Sequence, residues 1–148
     1  MHIKNFSLLA GLFMLMMGII SFFPPLNVTE GIPALNVNLS YGMFLDMFPM
    51  NIFNKVALIA FGIAGVMAYM RTYHSLYYSI LFSKTVFWVM GLLAILGLFP
   101  ETNTLIGNWP LFGFEIIAHG SFALLGGYYG FIATREDNIH QNHQMYKI

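Results

Sequence analysis

Four apolar stretches of membrane-spanning length occupy most of the 148 residues, and they constrain the fold more than any other feature of the chain. A helix crossing a hydrocarbon core of about 30 Å needs roughly 20 apolar residues at about 1.5 Å each. Spans of that length read as about 6–23, 51–70, 76–99 and 112–133. Pro24-Pro25 ends the first and Pro100 follows the third, because proline lacks the amide donor that would continue a helix. Backbone polar groups in lipid must be satisfied within their own segment, so helices are the reading for all four. The expected fold is all-α: a polytopic membrane protein whose four transmembrane helices form two tandem hairpins in one bundle. Residues 1–148 read as a single domain, with 134–148 as a cytoplasmic tail.

Composition agrees with that solvent. Charged residues make up 8% of the chain and hydrophobic ones 58%, against about 25% charged in ordinary soluble domains, so a water-facing surface cannot be assembled. Six Lys and Arg balance six Asp and Glu, which removes any electrostatic basis for binding nucleic acid. The absence of cysteine excludes disulfides, thiolate metal sites and thiol catalysis. A cleaved signal peptide is the rival reading of the first segment, but Phe22-Phe23-Pro24-Pro25 is no small-residue cleavage site.

Orientation follows from the basic residues outside the spans. His2 and Lys4 precede the first span, Arg71 and His74 lie in the second connection, and Arg135 and Lys147 lie in the tail. The loops 24–50 and 100–111 carry no Lys or Arg, only Glu30, Asp46 and Glu101. Both termini are therefore expected in the cytoplasm of a cell whose inner membrane holds the protein.

An internal repeat is also expected. Met17-Gly18-Ile19-Ile20-Ser21, followed by Phe23-Pro24, recurs as Met90-Gly91-Leu92-Leu93-Ala94, followed by Phe99-Pro100. Asn51, Lys55 and Gly62 have the mutual spacing of Glu115, His119 and Gly126. Parallel repeats of this kind place sites between halves in some membrane folds.

Phe48-Pro49-Met50-Asn51, with Gly62 and Gly65 after it, resembles the second-helix pattern of the bacterial family labelled domain of unknown function 4383. Glu115-Ile116-Ile117-Ala118-His119 and Gly126 match that family's last helix, so the resemblance covers roughly residues 40–133. It implies four helices in a bacterial membrane and adds no reaction. The family pattern puts a histidine on the second helix where this chain has Leu58, with Asn54-Lys55 supplying polarity instead. A looser similarity is to four-helix proteins of the DoxX type.

Ionisable residues inside spans cost about 2.5–3.5 kcal/mol each on insertion scales and tend to be paired or functional. Four qualify: Lys55, Lys84, Glu115 and His119. Counting helical rise puts Glu115 roughly 6 Å and Lys55 roughly 8 Å from the same membrane face, so an ion pair between the two halves is expected. Glu115 and His119, four apart, share a helix face. That arrangement suits a proton relay, or leaves His119 to bond a neighbouring helix as structural glue. Lys84 reaches toward His119, stacks on Trp88, or snorkels to the interface.

Other expectations concern packing and the first loop. Gly62, Ala64 and Gly65 on the second span and Gly120, Ala123, Gly126, Gly127 and Gly130 on the fourth predict that these two helices cross closely. The apolar loop 24–50 is expected to fold over the bundle, with an interfacial helix before Pro49 or a strand at 35–41. No haem site and no other cofactor is expected, since His119 alone lies within a span, and His140 and His143 read as a solvated tail. The resulting functional reading is a non-catalytic accessory component of a membrane complex, touching lipid and a membrane-protein partner or a second copy. A small proton-coupled transporter using Lys55, Lys84, Glu115 and His119 is the alternative, and a quinone-linked redox protein a distant third.

Overall fold

The computed structural model describes residues 3–134. Four helices are long and apolar enough to cross a membrane: α1 (Ile3–Ile20), α2 (Ile52–Met70), α3 (Ser75–Gly97) and α4 (Phe114–Gly127), which continues as a π-helix over Tyr128–Ala133. The chain is thus an all-α membrane protein. The His2 end and the expected tail lie outside the described residues.

Each helix is apolar all round, as lipid demands, so residue size decides which face packs. On α1 the buried residues are Ile3, Phe6, Ser7, Ala10, Gly11, Met14 and Gly18, at alternating steps of three and four. Leu9, Leu12, Phe13, Met16 and Ile19 stay exposed to the lipid side. Small residues on the buried face let backbones approach, which is how helices associate where burial in lipid offers no hydrophobic gain. α3 repeats the design with Ser75, Ser79, Phe82, Ser83, Val86, Met90 and Gly97. The Ser7 and Ser79 hydroxyls, both fully buried, meet at 2.9 Å and tie the two helices together. Around them Phe6, Ala10, Met14, Ala68, Phe82, Val86, Met90 and Ala123 form the core.

The bundle is two tandem hairpins, α1–α2 and α3–α4, joined mainly through α3. This corrects the expected close crossing of the second and fourth spans. A Cβ on Gly62 would stand 2.5 Å from the Leu15 amide nitrogen, and one on Gly11 2.7 Å from that of Val66, so the α2 glycines serve α1. A Cβ on Gly126 would stand 2.7 Å from the Ser83 carbonyl oxygen and one on Gly130 3.0 Å from Lys84, so the α4 glycines serve α3. The small residues are used up inside each hairpin, and α2 and α4 are left apart.

Residues 24–50 form a cap at one end of the bundle. After a 3-10 turn at Pro24–Leu26 come three short strands, β1 (Asn27–Val28), β2 (Gly42–Phe44) and β3 (Phe48–Met50), in antiparallel order β1-β2-β3. Phe44 sits opposite both Asn27 and Phe48, and Met43 opposite Pro49. Pro49 is tolerated because β3 is an edge strand. The expected interfacial helix is absent from the described residues, and 35–41 is not a strand. The strands lie farther on, around a tight turn that puts Leu45 and Asp46 in the left-handed region at φ 53° and 57°. The second loop joins this cap: the Asn36 amide donates to the Gly107 carbonyl at 2.7 Å and its side chain to the Ile106 carbonyl at 2.9 Å.

Candidate intramembrane site beneath the cap

The first turn of α2 anchors the cap. Asn51 is fully buried and opens the helix: its side-chain oxygen accepts from the Phe53 amide at 3.0 Å, while Asn54 Oδ1 accepts from the Asn51 amide at 3.2 Å. Such reciprocal capping satisfies amide donors that have no helical partner. The Asn51 side-chain nitrogen then donates to two loops, to the Val37 carbonyl at 3.2 Å and the Asn108 carbonyl at 2.7 Å. Asn54 donates to the Pro110 carbonyl at 3.1 Å. Two asparagines one turn apart thus hold both loops on the end of one helix.

Lys55, 1% exposed, turns up into this cap. Its Nζ donates to Ser40 Oγ at 3.0 Å and Asn27 Oδ1 at 3.3 Å, and lies 5.4 Å from the centre of the Phe22 ring. Asn27 is itself fixed, donating to the Ser21 and Phe23 carbonyls. The expected Lys55–Glu115 pair is not formed. α2 and α4 are not packed neighbours, and a four-carbon stem near the helix end carries the ammonium outward to neutral oxygens. Lys55→Met keeps the stem and deletes the donor. It is expected to speed amide exchange at residues 40–44 by about tenfold, the loss of one charge-assisted hydrogen bond of about 1.5 kcal/mol, while helix content stays unchanged. Hydrogen-exchange mass spectrometry with circular dichroism checks both.

Glu115 and His119 do meet. Glu115, 5% exposed, has Oε2 at 3.6 Å from His119 Nε2, within ion-pair range but too long for a hydrogen bond. Glu115 Oε1 and His119 Nδ1 have no hydrogen-bond partner, so the expected bond from His119 to a neighbouring helix is not made. Lys84 reaches neither His119 nor Trp88; its Nζ lies 5.1 Å from the centre of the Phe131 ring, on the π-helical end of α4. The four ionisable residues therefore fall into three separate places.

Glu115 and His119 border a cavity of about 250 Å³ in the space between α2 and α4. Phe61, Leu93 and Phe122 give it apolar walls, and Met50 and Trp109 belong to the cap and the second loop. Trp109 stacks on Phe53 with ring centres 5.9 Å apart, and its indole N–H is a third buried polar atom without a partner. Sequence reasoning assigned Trp109 only to the interface and gave Asn51 no structural role. The Asn-x-x-Asn spacing before an apolar run is a capping signal readable in advance, whereas nothing local links Trp109 to Glu115.

A bundle of four spanning helices, closed at one end by a small sheet over an internal cavity, defines a compact polytopic membrane protein. The model of the family described as Domain of unknown function (DUF4383) matches residues 4–132, and the chain belongs to that family. No curated protein and no solved structure matches it.

Proposed function

We propose that the protein is a non-catalytic component of a membrane complex and works by binding. The observation that carries this reading is the separation of its intramembrane charges. A proton path through the bundle needs neighbouring groups that hand a proton on, yet Lys55 is committed to the cap and Lys84 to the Phe131 ring. Only Glu115 and His119 face each other, beside an apolar cavity. This arrangement favours a held molecule over a relay, and a partner or second copy would pack against the exposed apolar helix flanks.

The distribution of Lys and Arg supports a bacterial inner membrane with the cap outside and both termini in the cytoplasm. Close-approach glycines in both hairpins support descent from one duplicated hairpin: Gly62 meets α1 as Gly126 meets α3.

Two measurements test the reading. Reconstituted in liposomes, the protein is expected to discharge an imposed pH gradient no faster than empty vesicles. Extracted gently from native membranes, it is expected to bring down a membrane protein in fixed ratio. Proton flux that Glu115→Gln abolishes would establish the transporter instead.

A further inference from the structure

We propose that the cavity between α2 and α4 binds an otherwise apolar molecule through a hydroxyl group, held by Trp109, Glu115 and His119. The inference rests on the binding role above and gives it a ligand class.

Water is a poor tenant of this space. At about 30 Å³ per molecule, 250 Å³ would take roughly eight waters, each needing two to four polar partners. The unpartnered polar atoms at its border are three: Trp109 Nε1, Glu115 Oε1 and His119 Nδ1. A dry cavity would leave all three unsatisfied, which buried polar groups rarely are. An apolar cavity of about 150 Å³ takes up a benzene-sized guest, so a ring or a short chain fits here with room for a polar substituent.

The three atoms specify that substituent. An indole N–H only donates, so the guest must accept. His119 Nε2 faces Glu115 Oε2, which assigns its proton to Nε2 in the neutral ring and leaves Nδ1 as an acceptor. Glu115 Oε1 accepts as a carboxylate. The guest must therefore also donate. A hydroxyl does both, accepting from Trp109 and donating to Glu115 or His119. An ammonium cannot accept. A carboxylate would meet Glu115 with no cation to offset it, since Lys55 is bound in the cap and Lys84 lies over Phe131.

The test uses Trp109 as reporter in the Trp88→Phe background, since Trp88 is 66% exposed and would respond to probe dissolved in the lipid. The protein in nanodiscs, excited at 295 nm, is titrated with 4-bromobenzyl alcohol and with its methyl ether, whose bromine quenches indole on contact. Saturable quenching by the alcohol is expected, with a Kd at least about tenfold below that of the ether. Glu115→Leu and His119→Phe should each weaken the alcohol about tenfold and leave the ether unchanged. Ala118→Leu fills the cavity without touching a polar atom and should block both probes, which keeps the test sharp if either polar variant fails to fold. Equal Kd values for the two probes, or quenching that Ala118→Leu leaves intact, would overturn the proposal.

Dioleoylglycerol in the nanodisc separates two sources of the hydroxyl: displacement of the probe identifies a bilayer lipid, and its failure to displace identifies a diffusible alcohol. Recovering the probe chemically altered would overturn the non-catalytic reading and leave the binding site standing.

Discussion

Gly62→Leu is expected to abolish the folded bundle, and Gly62→Ala to destabilise it by at least about 3 kcal/mol, at the upper end for overpacked cores. A Cβ at this position lies 2.5–2.7 Å from the backbone nitrogen, Cβ and Cα of Leu15, and neither backbone atom can swing aside as a flexible side chain would. Relief requires α1 to move off α2, which parts the seam at Gly11 and Gly65 as well. Gly120→Ala is the matched control on α4, because nothing lies within 4 Å of the added methyl. It is expected to leave stability unchanged or raise it by up to about 1 kcal/mol through helix propensity. Thermal unfolding in detergent, followed by size-exclusion recovery, measures both. Equal behaviour of the two alanine variants would refute the close α1–α2 seam.

The second large effect belongs to Asn51. Asn51→Ala is expected to cost about 3–5 kcal/mol: about 1 for the helix cap and about 1–2 for each loop carbonyl left buried without a donor. Asn51→Asp separates the two roles. A carboxylate still accepts from the Phe53 amide but cannot donate, and it would stand against the carbonyls of Val37 and Asn108. In this variant the first turn of α2 should keep its protection from hydrogen exchange while 36–44 and 103–111 lose theirs. Loss in all three segments together would mean that cap and helix start are one cooperative unit.

The spans were legible because bilayer thickness sets their length and proline marks their ends; Pro24-Pro25 and Pro100 each fall just past a helix. What packs against what was not. In a chain whose helices are apolar on every side, glycine and serine mark the packed face but do not say which neighbour fills it, so the glycines of α2 and α4 were paired across the bundle when each serves its own hairpin. The Lys55–Glu115 expectation failed for a related reason. Depth can be counted along a helix, but the reach of a lysine stem and the identity of adjacent helices come only from the assembled bundle. The Glu115–His119 contact was readable because spacing of four on one helix needs no tertiary knowledge. In the cap, two- and three-residue strands held by an edge proline lie below what alternation over four or more residues can register.

The bonds that close the cap span long intervals of chain, from Asn36 to Ile106 and from Asn51 to Asn108, separations of 70 and 57 residues. While the first hairpin is made, Asn51 has no loop carbonyl of the second half to hold. At synthesis rates of about 5–20 residues per second, those carbonyls follow roughly 3–11 s later, for 57 residues. Through that delay the β-sheet rests on one side only, and its exposed edge and the buried ammonium of Lys55 remain open to quality-control machinery. Cap closure therefore reports that the second hairpin has arrived, and a chain truncated before residue 106 carries its own mark of incompleteness.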